Sequence, residues 1–281
     1  MYCAIVVLYE PDSSTIKNIL NYYNSVEWVY ILDNSDKSCK ESIQNIIPTK
    51  DEHYTYHWFG KNIGLASALN YGMNEARQDG YKWALMMDSD STLANNILIE
   101  YENYLTNNQN EKIAVLAPVH LFDRSNNCIY NGTQTKVWTM TSGCLFNINI
   151  FFKVEGFNED LFVDGLDIDY GYRATRAGFE IIEIGSAGLN HHPGKSRELK
   201  IGNITIFKYG IAEPKRYFMQ AKALIYIGLK YKSPKILFIY LYKWAKAILL
   251  FDHKHQYCLA LSKGSKEGYD LYRSGSKIKS V

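Results

Sequence analysis

The chain has 281 residues, 47% apolar and 21% charged, which is enough apolar material for a sizeable core and excludes a disordered chain. A formal net charge of +2 excludes the strongly basic domain typical of nucleic-acid binders, so no nucleic-acid partner is expected. The five cysteines (Cys3, Cys39, Cys128, Cys144 and Cys258) form no C-x-x-C pair and read as free thiols in a reducing compartment.

Taken in chain order, the first half alternates short β-rich runs with helical periods. Cys3–Tyr9 reads as a buried first strand rather than a signal peptide, because no basic segment precedes it and Glu10-Pro11 ends it. Asp12 or Ser13 is placed to cap a helix reaching Ser25. Trp28–Asp33 reads as a strand ending in the turn Asn34-Ser35-Asp36, and Ser38–Ile47 as a helix stopped by Pro48. His53–Phe59 is a third strand, Ile63–Asp79 a helix closed by Gly80, and Trp83–Met87 a continuous apolar strand. This β-α-β-α-β-α-β order predicts an α/β fold with a mostly parallel sheet.

Beyond that point, Ile113–Pro118, Cys128–Tyr130, Val137–Phe146 and Phe179–Ile184 read as strands and Leu166–Ala177 as a helix. From Gly202 onward the chain reads as helical without a convincing strand. The Pro- and Gly-bearing loop His192–Asn203 marks the boundary, giving a main α/β domain over 1–200 and a helical extension over 201–281. No uninterrupted apolar stretch is long enough to predict a membrane-spanning helix.

In parallel sheets ligands bind beyond the C-terminal strand ends. Here those ends are polar: Tyr9-Glu10, Asp33-Asn34, Gly60-Lys61-Asn62 and Asp88-Ser89-Asp90. The last is the sharpest feature. Two carboxylates flank one residue after a buried strand, where side chains two apart share a side, and hard oxygens there suit Mn²⁺ or Mg²⁺ and, through it, a diphosphate. A solvated turn with capping aspartates is the plain alternative. A second acidic group, Asp164, Asp167 and Asp169, either complements a helix dipole or supplies a general base for a hydroxyl nucleophile. The pair His191-His192 before Pro193-Gly194 is a third candidate, since imidazole is a reasonable Mn²⁺ ligand.

Together these segments resemble glycosyltransferase family 2, the inverting enzymes of the GT-A fold, over roughly residues 3–195. The resemblance rests on IVVLYEPD, VYILDNSD, the N-x-G-x-x-x-A-x-N-x-G spacing of Asn62, Gly64, Ala68, Asn70 and Gly72, WALMMDSDS, and the stretch from Thr141 to Ile181. It implies that Asp33 meets the nucleobase and that Tyr9 and Asn62 line the nucleotide pocket. It further implies substrate contacts at Asp88, Ser89, Ser142 and Gly143, with Asp90 as metal ligand and Asp88 beside it. Counting back from Arg173 implies Asp167 as base, with Asp164 and Asp169 as alternatives. His191, three residues before Gly194, resembles the histidine completing the metal shell, with His192 behind it. Within the family, the Val-Asp-x-x-Asp-Ile-Asp run and LSKGSKEGYDLY look most like bacterial rhamnosyltransferases of polysaccharide synthesis. That implies a dTDP- or UDP-sugar donor and a glycan or lipid-linked acceptor.

The tail carries a further pattern. From Pro234 to about Lys254, Lys235, Lys243, Lys246 and Lys254 fall within one arc of a helix, opposite Leu237, Leu241, Trp244, Ile248 and Phe251. A basic amphipathic helix of this kind is expected either to lie on an anionic membrane surface or to pack on the catalytic domain or a second copy in a homodimer. The expected location is cytoplasmic, peripheral on the inner face of the membrane. Rival readings are weaker. A dinucleotide-dependent oxidoreductase would carry G-x-G-x-x-G after the first strand, where this chain has Tyr9-Glu10-Pro11-Asp12. A nucleotidyltransferase would open on a glycine-rich, basic phosphate loop, also missing. A non-catalytic nucleotide-sugar or carbohydrate binder would not need intact Asp88, Asp90, Asp167 and His191.

Overall fold

The structure is a computed structural model and describes residues 2–47, 53–93, 97–122, 127–190, 195–202 and 204–278. Contacts divide the chain into two units: Met1–Glu159 with Tyr170–Pro193, and Asp160–Asp169 with Gly194–Val281.

The first unit opens with β1 (Tyr2–Leu8), α1 (Ser13–Lys17), α2 (Leu20–Tyr23), β2 (Trp28–Asp33), α3 (Lys40–Ile46), β3 (Tyr54–Trp58), α4 (Leu65–Gln78) and β4 (Trp83–Asp88). It continues with β5 (Thr92–Leu93), α5 (Ile97–Asn107), β6 (Ile113–Leu121), β7 (Thr133–Lys136), β8 (Cys144–Asn147) and α6 (Ile148–Lys153). The helix α7 (Leu166–Arg176) begins in the second unit and runs into the first, which closes with β9 (Glu180–Asn190). The strands form one sheet in the order β3-β2-β1-β4-β8-β6-β9-β5, with β7 added on β9. Pairing is parallel from β3 through β4 and between β6 and β9, and antiparallel elsewhere.

The apolar runs explain the central strands. The middles of β1, β2 and β4 are buried on both faces, which is the setting a continuous Val/Ile/Leu run needs. Helix α4 lies tight on this layer because Gly72 faces it: a Cβ there would come within 2.8 Å of both Ile5 and Leu32. The helix expected over 13–25 forms as two pieces, α1 and α2. Their join is carried by i→i+3 backbone bonds, Asn21 N–H to Asn18 and Tyr22 N–H to Ile19, the tighter 3₁₀ pattern. Asp12 does cap the start, its Oδ1 accepting from Thr15 N–H at 2.7 Å.

Two sequence expectations fail in the second half of this unit. Cys128–Tyr130 is not a strand, and of the strand expected over 137–146 only the last three residues form one, at the start of β8, while β7 ends just before the expected run. Gly143 sits at φ 73° between them, a left-handed conformation that breaks an extended run. A Cβ at Gly143 would also crowd Leu189 at 3.0 Å and Pro118 at 3.1 Å.

The second unit contains the hairpin β10 (Lys195–Ile201) and β11 (Ile204–Ile211), then α8 (Pro214–Tyr231), α9 (Pro234–Leu250) and α10 (Lys254–Ile278). The hairpin corrects both the expected 192–203 linker and the strandless reading from Gly202. Glu198 pairs with Lys208 across the ladder, with an ion pair of 3.5 Å, and opposite charges in register support a strand pair. Helix α10 packs on α8 through two glycines one turn apart. A Cβ would lie 2.2 Å from the Phe218 carbonyl at Gly264 and 2.3 Å from the Lys222 carbonyl at Gly268. Only glycine permits this backbone-to-backbone approach. Among the described residues no helix is long and apolar enough to cross a membrane.

Candidate functional site

Register sets the site of the first unit. Leu8 pairs with Asp33 and Val7 with Asp88, so β1, β2 and β4 end nearly level, and the residues that follow leave one edge of the sheet. Tyr9 leaves it more than half exposed, an open aromatic face at the end of β1. Glu10 follows at φ 46°, strained for a non-glycine residue, and its N–H donates to Ser35 Oγ at 2.8 Å.

Asp33 is fully buried, and its carboxylate organises the loop after β2. Oδ1 accepts from Ser35 N–H at 3.0 Å, and Oδ2 from Cys39 N–H at 2.8 Å and from the Tyr56 hydroxyl at 2.5 Å. Burial alone would raise its pKa, but the Tyr56 hydroxyl and Cys39 N–H hold it below the usual carboxylate value. The same carboxylate, after burial itself, helps push the Cys39 thiol up to about 12, so this cysteine is inert at neutral pH. Asn34 ties the loop to the start of α4. Its Oδ1 accepts from Ile63 N–H at 2.8 Å, and its Nδ2 donates to Asn62 Oδ1 at 3.1 Å, which also accepts from Gly64 N–H at 2.9 Å. Trp58, less than half exposed, donates its indole N–H to the Ser35 carbonyl at 2.9 Å.

The D-x-D lies just past the end of β4. Asp88 and Ser89 are half-buried and Asp90 is exposed. The turn is closed by Ser91 N–H bonding to the Asp88 carbonyl at 3.2 Å, and Asn18 Nδ2 donates to the Ser89 carbonyl at 2.8 Å. Ser142 is buried, and its Oγ accepts from Asp88 N–H at 3.1 Å. Gly143 N–H donates to the Met86 carbonyl at 2.8 Å, and its own carbonyl accepts from the Tyr101 hydroxyl at 2.8 Å. His120, buried and unremarked in the sequence, lies with Nε2 2.8 Å from the Ser142 carbonyl. Ser142 and Gly143 therefore fix the end of β4 from behind. Thr92, two residues past Asp90, pairs with Asn190, the residue before His191. His191 and His192 lie outside the described residues. Among those described, no group of three or more His, Cys, Asp and Glu side chains is gathered to hold a metal ion. Exposed Asp90 and half-buried Asp88 nevertheless carry the hard oxygens that Mn²⁺ and Mg²⁺ take.

The second unit holds the other acids. Asp164 is met by Arg216 of α8, with Nε 2.8 Å from Oδ2. The contact is short enough for an ion pair. Burial pushes the Asp164 carboxyl up, and Arg216 opposes that. Asp169 is fully buried and accepts on Oδ1 from Lys230 Nζ at 2.8 Å and from the Tyr231 hydroxyl at 2.7 Å. Burial alone would lower the Lys230 pKa, but the facing Asp169 holds it above the usual lysine value. Asp167 differs. Its Oδ1 accepts from Ile168 N–H at 2.8 Å, and no ion pair to it is seen among the described residues. Burial, with a smaller contribution from the Asp164 charge, raises its pKa to about 6. Of the three candidate bases, two are committed to cations and Asp167 is poised to exchange a proton near neutrality.

Sequence reasoning missed Asn34, Ser35, Tyr56, Lys230 and Tyr231. The first two stood inside the turn already flagged. Lys230, 61 residues from its partner, gave no local signal.

Comparisons with known proteins add to this geometry. The family described as Glycosyl transferase family 2 matches residues 13–157, a stretch that holds Asp33, Asn62, Asp88–Asp90, Ser142 and Gly143. The chain is 24% identical to the dTDP-rhamnosyl transferase RfbF of Shigella flexneri, covering 84% of this chain and 82% of the relative. Its fold is similar to that of GalNAc-T7 crystallised with UDP, GalNAc and Mn²⁺, at a TM-score of 0.62 and 10% identity, covering 96% of this chain and 57% of the other. It is also similar to residues 1–349 of S. aureus TarS in complex with UDP-GlcNAc, at a TM-score of 0.59 and 11% identity, covering 94% of this chain and 80% of that one.

Proposed function

The chain belongs to glycosyl transferase family 2, and on that premise we propose that it is a metal-assisted, inverting transferase that moves a sugar from a dTDP- or UDP-sugar to a hydroxyl of a glycan or lipid-linked acceptor. The likeness to the Shigella flexneri dTDP-rhamnosyl transferase favours rhamnose as the sugar and bacterial surface polysaccharide as the product. The observation that carries the catalytic reading is Asp167: of the acids over 164–169, it is the one raised to about 6, and no ion pair to it is seen among the described residues.

In this reading Tyr9 and the Asp33-organised loop shape the nucleobase pocket, and Asn62 holds the wall between that loop and α4. Asp90 and Asp88, with His191, would hold a divalent cation. When bound, the cation supplies positive charge against the departing diphosphate. The acceptor hydroxyl oxygen attacks the anomeric carbon as the bond to the diphosphate oxygen breaks, so the configuration inverts. Asp167 takes the hydroxyl proton as that bond forms. No covalent enzyme intermediate arises, consistent with the half-buried Cys39, whose thiol is pushed up to about 12.

A thermal-shift screen of nucleoside diphosphates and their sugars, with and without Mn²⁺, tests the binding half. The expected result is stabilisation by dTDP- or UDP-sugar that grows with ligand concentration and weakens with chelator. A flat response to every nucleotide contradicts the proposal.

A further inference from the structure

Helix α9 poses a problem of its own. One face packs inward: Ile236, Ala247 and Phe251 are buried, and Tyr240, Trp244 and Leu250 pack against the core built around Tyr217 and Leu261. A helix with one buried face should be polar on the other. This one is not. Phe238 is 71% exposed, Leu249 72% and Leu241 60%, with Tyr242 and Ile248 also open. Spacings of three, four and seven place these five side chains along one stripe.

The exposed stripe differs from the one the sequence pattern predicts. Trp244 and Phe251, assigned to the apolar face, pack against or within the core. Lys246, assigned to the basic face, is buried and donates to the Gly210 carbonyl at 2.8 Å. Among the described residues, nothing within its own unit covers the second apolar stripe.

Charge identifies the partner. From Pro214 to Phe251 the sequence contains eight Lys or Arg and no Asp or Glu. Several of these cations are engaged inside the unit, but Lys232 and Lys235 are exposed at the start of α9. Lys235 stands three residues before Phe238 and seven before Tyr242, on the edge of the stripe. A two-fold pairing of α9 with a second copy would bring two such acid-free, cationic helices together, and the acid that follows the stripe, Asp252, is already engaged by Arg197 at 2.8 Å, a repulsive arrangement. We propose that the stripe Phe238, Leu241, Tyr242, Ile248 and Leu249 inserts into the interface of an anionic lipid bilayer, with Lys232 and Lys235 on the headgroups. Apolar side chains enter the acyl boundary while lysines reach the phosphates, the arrangement of an interfacial helix. This inference stands independently of the transfer reaction, and its test needs no turnover.

The full chain is co-sedimented with vesicles of phosphatidylcholine alone and of phosphatidylcholine mixed with phosphatidylglycerol. Binding is expected to the mixed vesicles and not to the neutral ones. Phe238→Glu and Leu249→Glu should each weaken it by about tenfold or more, and Lys232→Gln with Lys235→Gln by about fivefold per charge. Melting curves identify any Glu variant that has lost its fold. In that case Leu241→Ser and the lysine pair, both at exposed positions, decide the matter. Absence of binding to anionic vesicles overturns the proposal, as does binding that the stripe and lysine variants leave unchanged. A concentration-dependent dimer in ultracentrifugation that Leu249→Glu dissolves, without vesicle binding, would assign the stripe to a second copy and also overturn it.

Discussion

Asp33 in the first unit and the acids over 164–169 in the second are held in opposite ways. Asp33 is fully buried with no salt bridge seen among the described residues, and neutral donors from its own loop and the neighbouring strand favour its ionised form. Asp164 and Asp169 are held by cations from a helix more than forty residues away, Arg216 and Lys230. Asp167, between them, has a single backbone N–H from its own turn among the described hydrogen bonds, and its pKa rises to about 6. The comparison separates two carboxylates held by cations and one held by neutral donors from Asp167, the acid to which the proposed reaction assigns the proton transfer. An acid with enough donors stays an anion and builds a loop. An acid desolvated beside another acid keeps its proton longer and becomes useful as a base.

The largest effect tests the odd member. Asp167→Asn should lower kcat by about 10²- to 10⁴-fold, the scale of a general base. In the wild type, kcat/KM should fall as pH drops below about 6, because the base must be deprotonated. Stability has the opposite sign. A carboxyl whose folded-state pKa is raised favours the fold while protonated, and that advantage is lost as pH rises through about 6. Asp167→Asn should therefore melt higher than wild type at pH 8, with the gain shrinking towards pH 4.

Next comes the cation-held acid. Lys230→Met strands the Asp169 carboxylate in a fully buried position, at a cost of about 3–5 kcal/mol. Adding Asp169→Asn should recover most of the lost melting temperature, and failure to recover would show that Lys230 matters through packing rather than charge. Smaller again is Gly268→Ala, whose methyl meets the Lys222 carbonyl. Overpacking of this kind costs about 1–3 kcal/mol, read from denaturant midpoints. The smallest change is Asp33→Asn, which keeps the shape and loses charge-assisted bonds worth about 1–2 kcal/mol. If Asp33→Asn destabilises more than Lys230→Met, the contrast between neutral and cationic anchoring is mistaken.

Much of the first unit was legible in the sequence because burial writes itself there. A strand covered on both faces must be continuously apolar, and β1, β2 and β4 are. The residues that end them must be polar, so Asp33 and Asp88–Asp90 stood out as candidates. What the sequence could not carry was the use of each carboxylate, because partners such as Tyr56 and Cys39 depend on the fold of a loop. The hairpin β10–β11 was overlooked although a Gly-Asn step between two β-rich runs is a hairpin signal; charged residues on both strands hid the alternation. The arrangement of α8 and α10 rests on Gly264 and Gly268, which in a helical pattern look like mere weak points. The inclusion of 160–169 in the C-terminal unit also had no local signature.

One paired measurement bears most directly on the catalytic reading: donor binding by calorimetry with Mn²⁺, alongside sugar transfer, in wild type, Asp90→Asn and Asp167→Asn. The expected pattern is weakened binding in Asp90→Asn, and in Asp167→Asn near-normal binding with transfer reduced by at least about 10²-fold. Transfer by Asp167→Asn at the wild-type rate would contradict the assignment.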